Sequence, residues 1–103
     1  MTFIQIVSFH CRELDALRGI EAEWLAATAG RRTLRRETLL ADRDDPTRFV
    51  TINEFDSYED AMANSELPET DAMAKQVGGL IIGDPAYLNL HVLQATEFEA
   101  PDR

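Results

Sequence analysis

Apolar residues fall on both sides of this chain's strands, and that constrains the fold more than any other feature. In the run 3–9, Phe3, Val7 and Phe9 point one way while Ile4 and Ile6 point the other. In 48–55, Phe49 and Phe55 oppose Val50 and Ile52, and in 87–95, Leu88, Leu90 and Val92 oppose Leu93. A sheet with one wet face alternates apolar and polar residues. These strands predict a sheet buried on both faces, so each face needs a cover.

The chain supplies one cover. Leu14, Leu17, Ile20, Trp24 and Ala27 recur at spacings of three and four, which predicts a helix over 12–29 closed by Gly30. A second strand is expected over 33–40, followed by an Asp/Pro-rich turn at 42–46 and the strand 48–55, the two forming a hairpin. Ser57 is a natural N-cap for a short helix over 58–63. Asn64 and Ser65 break that helix, and Pro68 opens a second piece running to 77, before Gly78-Gly79. Gly83-Asp84-Pro85 reads as a turn leading into the last strand, 87–95. The order β-α-β-β-α-β predicts an α+β, ferredoxin-like sandwich: a four-stranded antiparallel sheet with helices on one face. The other face then calls for a second copy, giving a homodimer. Residues 1–97 are expected to form one domain and 98–103 a frayed tail.

Charge and cysteine content narrow the partners. Residues 1–52 carry eight arginines and eight acids, so the net charge of −9 lies wholly in the second half. An acidic chain repels phosphate backbones, which argues against nucleic acid. The exception is Arg31-Arg32-Thr33-Leu34-Arg35-Arg36, read first as a solvated strand edge that deters edge pairing and second as an anion site. Cys11 is the sole cysteine, which favours a reducing compartment. The start Met1-Thr2-Phe3-Ile4-Gln5 has no basic or apolar leader pattern, and no apolar run reaches the ~20 residues of a membrane span. The expectation is a cytoplasmic protein without membrane contact.

The strand phases sort the sheet into two different faces. One is aliphatic: Ile4, Ile6, Val50, Ile52, Leu88, Leu90 and Val92. The other mixes Phe3, Gln5, Phe9, Thr51, Asn53, Phe55, Asn89 and His91. Aromatic rings interspersed with amides and an imidazole describe the lining of a small-molecule pocket. A half-wet face or a polar network inside a dimer reads equally well from the pattern. His91 is the candidate proton acceptor, since imidazole titrates near pH ~6.5. Asn53 is the candidate oxyanion partner, with Asn64 as a second amide. Trp24, Tyr87, His10, Asn89 and Phe55 complete the candidate binding set. Cys11 beside His10 lacks the context of a nucleophile, and no spacing of His, Cys or carboxylates points to a metal.

Three segments carry a resemblance: Glu54-Phe55-Asp56-Ser57-Tyr58-Glu59-Asp60, Ala63-Asn64-Ser65-Glu66-Leu67-Pro68-Glu69-Thr70 and Gly83-Asp84-Pro85-Ala86-Tyr87. With them the chain resembles, over nearly its whole length, the dimeric α/β-barrel superfamily and its antibiotic biosynthesis monooxygenase-like proteins. These segments mark scaffold rather than catalysis. The resemblance implies a homodimeric α/β barrel with a cavity between sheet and helices, which Trp24 could close. It also implies cofactor-independent oxidation of a small aromatic or polyketide-like substrate. Haem-degrading members use an Asn, Trp and His set, and no His stands near Asn64 and Ser65 here, which argues against that activity. The alternative is a non-catalytic homodimer of the same fold that binds a ligand or serves as a partner subunit.

Overall fold

A computed structural model describes residues 1–101. Its elements are β1 (Phe3–Cys11), α1 (Leu14–Ala27), β2 (Arg36–Ala41), β3 (Arg48–Phe55), α2 (Tyr58–Ser65), α3 (Pro68–Gly78) and β4 (Ile81–His91). The strands form one antiparallel sheet in the order β2-β3-β1-β4. This is the expected α+β, ferredoxin-like arrangement, with the second helix broken into α2 and α3.

Cross-strand partners share a face, so the register fixes what each face contains. Phe3, Gln5, Val7 and Phe9 stand opposite Phe55, Asn53, Thr51 and Phe49. Phe3, Gln5 and Val7 also stand opposite His91, Asn89 and Tyr87. This mixed face lies under the helices. Phe9, Cys11 and Phe49 pack with Leu17 of α1, joined by Val7, Leu14, Leu39 and Val77. At the other end Phe3 and Phe55 pack with Ala61 of α2. Ile4, Ile6, Val50, Ile52, Leu88 and Leu90 form the opposite face, as the strand phases required. Among the described residues no element covers that face, and Leu40, Ile82, Leu88 and Leu90 are exposed on it.

Local chemistry sets the helix ends. The Ser57 hydroxyl accepts the Asp60 N–H at 3.0 Å, capping α2. That helix runs through Asn64 and Ser65 and stops at Glu66, one residue past the expected break. Pro68 then occupies the first turn of α3, where its missing N–H has no intrahelical partner to lose. At the end of α1 the fully buried Thr28 hydroxyl donates to the Trp24 carbonyl at 2.7 Å, and Gly30 turns the chain with φ +79°.

The last strand differs most from expectation. It starts at Ile81, and Gly83-Asp84-Pro85 lies within it instead of forming a turn before it. The register against β1 shifts between Ser8 and His10, and Gly83 has φ +70° there. Glycine and proline signal a bulge as readily as a turn. Proline is tolerated because β4 is an edge strand. The strand ends at His91, and one further bond, from the Val92 N–H to the Thr2 carbonyl at 2.9 Å, closes its pairing with the start of β1. Residues 98–101 carry no regular structure, and 102–103 lie outside the described residues. No helix among the described residues is long and apolar enough to cross a membrane.

The arginine run is matched by acids of the same chain. Arg31 pairs with Glu69, Arg35 with Asp56 at 3.6 Å and Arg36 with Glu54 at 3.6 Å. Arg32 donates to the Leu25 carbonyl at 2.8 Å. The segment is thus a neutralised strand edge.

Candidate functional site

Between the mixed sheet face and the helices lies a cavity of about 390 Å³. A smaller lobe of about 150 Å³ continues it toward Trp24, Leu34 and Phe55. The two lobes share Gln5, Glu21, Glu37, Asn53, Thr70 and Met73. Val7, Phe9, Leu17 and Val77 make the larger lobe predominantly apolar. Tyr87 stands at its rim, more than half exposed, on the β4 side where 86–91 are open to solvent.

One row of polar side chains crosses the cavity floor. Glu37 of β2 stands opposite Asn53 of β3, Asn53 opposite Gln5 of β1, and Gln5 opposite Asn89 of β4. The Gln5 amide donates to Asn89 Oδ1 at 3.2 Å. Asn53 Oδ1 is buried and has no hydrogen-bond partner among the described residues. Such an orphaned carbonyl oxygen carries a desolvation cost of about 1–3 kcal/mol until a donor reaches it. A donor N–H or O–H reaching the cavity floor would satisfy it.

Glu37 meets Glu21, which α1 delivers from above. Burial raises the Glu37 carboxyl to a pKa of about 8, reinforced by a hydrogen bond with Glu21 and by the Glu21 charge. Glu37 is an exposed residue of the edge strand β2, so its carboxyl stays in contact with solvent while protein on the cavity side displaces part of its hydration. Below that pH Glu37 holds its proton, because a negative charge there is disfavoured by burial and by the neighbouring Glu21. Neither residue stood among the sequence candidates, although the signal was present. Glu21 falls four residues after Leu17 and three before Trp24, a charge on the apolar stripe of α1. Glu37 shares its β2 face with Leu39, and that phase points inward.

The sequence candidates divide. Asn53 lines both lobes, and Trp24, Phe55 and Asn64 line the smaller one. Trp24 is buried and donates its indole N–H to Thr70 Oγ1 at 2.9 Å, so it serves as a wall. Asn64 Oδ1 accepts the Thr33 N–H at 3.3 Å, which commits its oxygen to the fold. Asn89 lies at the outer end of the polar row. His91 does not line the cavity with Asn53. It shares the helix-facing side but sits two residues past Asn89, about 7 Å further along the strand, with its ring edge-on to Phe3 at 5.6 Å. His10 belongs to the opposite face, since it neighbours the inward Phe9 and Cys11. Its Nδ1 is 3.1 Å from Thr47 Oγ1 and 3.7 Å from Asp45 Oδ2. Neither histidine is placed to act on a molecule in the cavity.

No protein-family model matches the chain, and no curated protein matches it. Solved structures do. A Nitrosomonas europaea protein named as an antibiotic biosynthesis monooxygenase superposes with a TM-score of 0.76 at 19% identity, covering 93% of this chain and 94% of that one. SnoaB, a cofactor-independent oxygenase from Streptomyces nogalater, superposes at 0.77 with 17% identity, over 91% and 95% of the two chains. The Mycobacterium tuberculosis protein Rv0793 superposes at 0.76 with 20% identity, over 94% and 100%. The chain therefore has the fold of the antibiotic biosynthesis monooxygenase-like proteins, and at these identities the likeness speaks for fold.

Proposed function

We propose that this protein is a homodimeric, cofactor-independent monooxygenase whose cavity takes a small aromatic or polyketide-like molecule. The observation that carries the reading is the unpartnered Asn53 Oδ1 in the floor of a predominantly apolar cavity. A flat aromatic fits apolar walls, and one hydroxyl on it satisfies the amide. The aliphatic faces of two protomers pack together in the dimer and leave a cavity on the outer side of each sheet. Buried Cys11 as the free thiol is in keeping with the cytoplasm. The fold shared with a cofactor-independent oxygenase supports the choice of chemistry.

In that chemistry an anthrone gives up a ring C–H proton, and the carbanion reduces dioxygen. One oxygen atom becomes the new ring carbonyl and the other leaves as water, so substrate and dioxygen account for every electron. The second reading, a ligand-binding or partner subunit without turnover, is favoured by one observation: the imidazole expected as base lies outside the cavity. Oxygen uptake with dithranol, a dihydroxylated anthrone, separates the two. The oxygenase consumes it faster than buffer does, and His91→Ala retains the wild-type rate. Binding of the anthraquinone product without oxygen uptake from dithranol supports the subunit reading instead.

A further inference from the structure

We propose that Glu37 is the proton acceptor of this cavity, held in readiness by Glu21, and that the pair makes the site specific for uncharged aromatic molecules bearing an acidic O–H or C–H. The inference rests on the oxygenase reading for its chemistry and on the geometry for its residues.

Both carboxyls line both lobes, so either lobe's occupant lies beside them. Glu37 stands opposite Asn53 across the β2–β3 ladder, which puts a base and an unpartnered amide oxygen side by side. A molecule whose hydroxyl donates to Asn53 Oδ1 presents its adjoining acidic hydrogen to Glu37. The transfer moves one proton from substrate to the Glu37 carboxylate and leaves the electron pair on the substrate. An ordinary carboxylate is a weak base for such acids, and the raised affinity of Glu37 for a proton brings it nearer to them.

The surroundings leave Glu37 as the group whose proton affinity is raised. Glu21 from α1 and Tyr87 from β4 are the other titratable groups in the lining. From α3 the cavity receives Thr70, Met73, Ala74 and Val77, while Asp71 and Lys75 pair with each other outside. From α2 it receives Ala61, Met62, Asn64 and Ser65. On the strands, Arg36 is engaged with Glu54 and Arg35 with Asp56. Among the described residues no Lys, Arg or His lines either lobe, so no lining cation offsets an ionised Glu37 when an anion approaches. Carboxylates, sulfonates and phosphates are turned away.

The test compares wild type, Glu37→Gln and Glu21→Gln in two assays. In the first, dithranol oxidation is followed across pH. Wild-type kcat/KM rises about tenfold per pH unit and levels off above about pH 8, where Glu37 is a carboxylate. Glu37→Gln loses at least about 100-fold, the lower range for a general base, and loses the rise with pH. In Glu21→Gln the profile levels off at lower pH, because the charge that helps to hold the Glu37 proton is gone; a merely structural role would not move that inflection. A wild-type profile retained in Glu37→Gln overturns the inference and leaves the oxygenase reading standing. The second assay needs no turnover. At about pH 9, where Glu37 is a carboxylate, the dihydroxyanthraquinone product binds wild type at least about tenfold more tightly than an anthraquinone carboxylate does, and that preference shrinks in Glu37→Gln. Equal binding of the two by wild type overturns the proposal. Absent dithranol oxidation with the preference intact discards the oxygenase reading and the proton transfer to Glu37, and leaves the pair as the selectivity element.

Discussion

Trp24 donates its indole N–H to Thr70 Oγ1 at 2.9 Å, tying α1 to α3 over the smaller lobe of the cavity. The indole is buried, so its donor has no ready substitute. Thr70→Val keeps the side-chain shape and removes the acceptor, which strands that N–H. The expected cost is about 1–3 kcal/mol. In urea denaturation this lowers the midpoint and leaves the slope unchanged. An unaltered midpoint would mean that the bond contributes nothing net.

The acid pair makes a second prediction, about stability and pH. Glu37 takes up its proton at about pH 8 in the fold, against 4.5 for the free side chain. The folded state thus binds the proton more tightly. The stability this contributes is fully present below pH 4.5 and is lost as pH rises from there through about 8. Glu37→Gln keeps a neutral side chain at every pH. It should therefore be more stable than wild type at pH 9 and lose that advantage by pH 4, as read by thermal melts in matched buffers. An advantage independent of pH would show that the strain is steric.

How much of this was legible beforehand follows from the period of each element. The faces of the sheet were readable because the strand phase is two, and Phe3, Asn53 and Asn89 sit where that phase puts them. The cavity's polar row was half readable for the same reason. Glu37 was missed because β2 is a less apolar edge strand whose phase the arginines obscure. Glu21 was missed because acids on a helix are ordinarily solvated. His91 was misjudged because face alone does not say how far along the strand the helices reach. Gly83-Asp84-Pro85 forms a bulge within β4 that composition alone does not distinguish from a turn.

Gly83 yields the third prediction. Its φ of +70° is in the region where side chains are disfavoured, and nothing lies within 4 Å of the position a Cβ would take. The cost of Gly83→Ala is therefore conformational, about 1 kcal/mol. If the bulge relaxes instead, the register of β4 past Pro85 slips. A slip by one residue would swap Tyr87 and Leu88 between faces. Amide exchange along β1 reads this directly. A local loss of protection around His10 and Cys11 accompanies strain alone, whereas loss extending to Gln5 accompanies a slip.

The fourth prediction concerns the uncovered face. Ile52, Ile6 and Leu88 stand in one row across three strands, and Leu88 is 57% exposed in the single chain. Its neighbour Tyr87 points the other way, to the rim of the cavity. Leu88→Arg therefore leaves the cavity lining intact and costs the protomer little, as exposed substitutions generally do. In the proposed dimer the same arginine is buried in an aliphatic interface, which costs several kcal/mol where no partner charge meets it. Sedimentation at micromolar concentration should give wild type at twice the 11.6 kDa of one chain and the variant at 11.6 kDa. A folded variant that still sediments as a dimer would place the contact elsewhere. A wild type that sediments as a monomer would leave the aliphatic face to a different occupant. The cavity lies on the far side of the sheet from this interface, so a monomeric Leu88→Arg should retain affinity for the dihydroxyanthraquinone used as probe. Coupled loss of dimer and affinity would instead show that the partner protomer helps to shape the site.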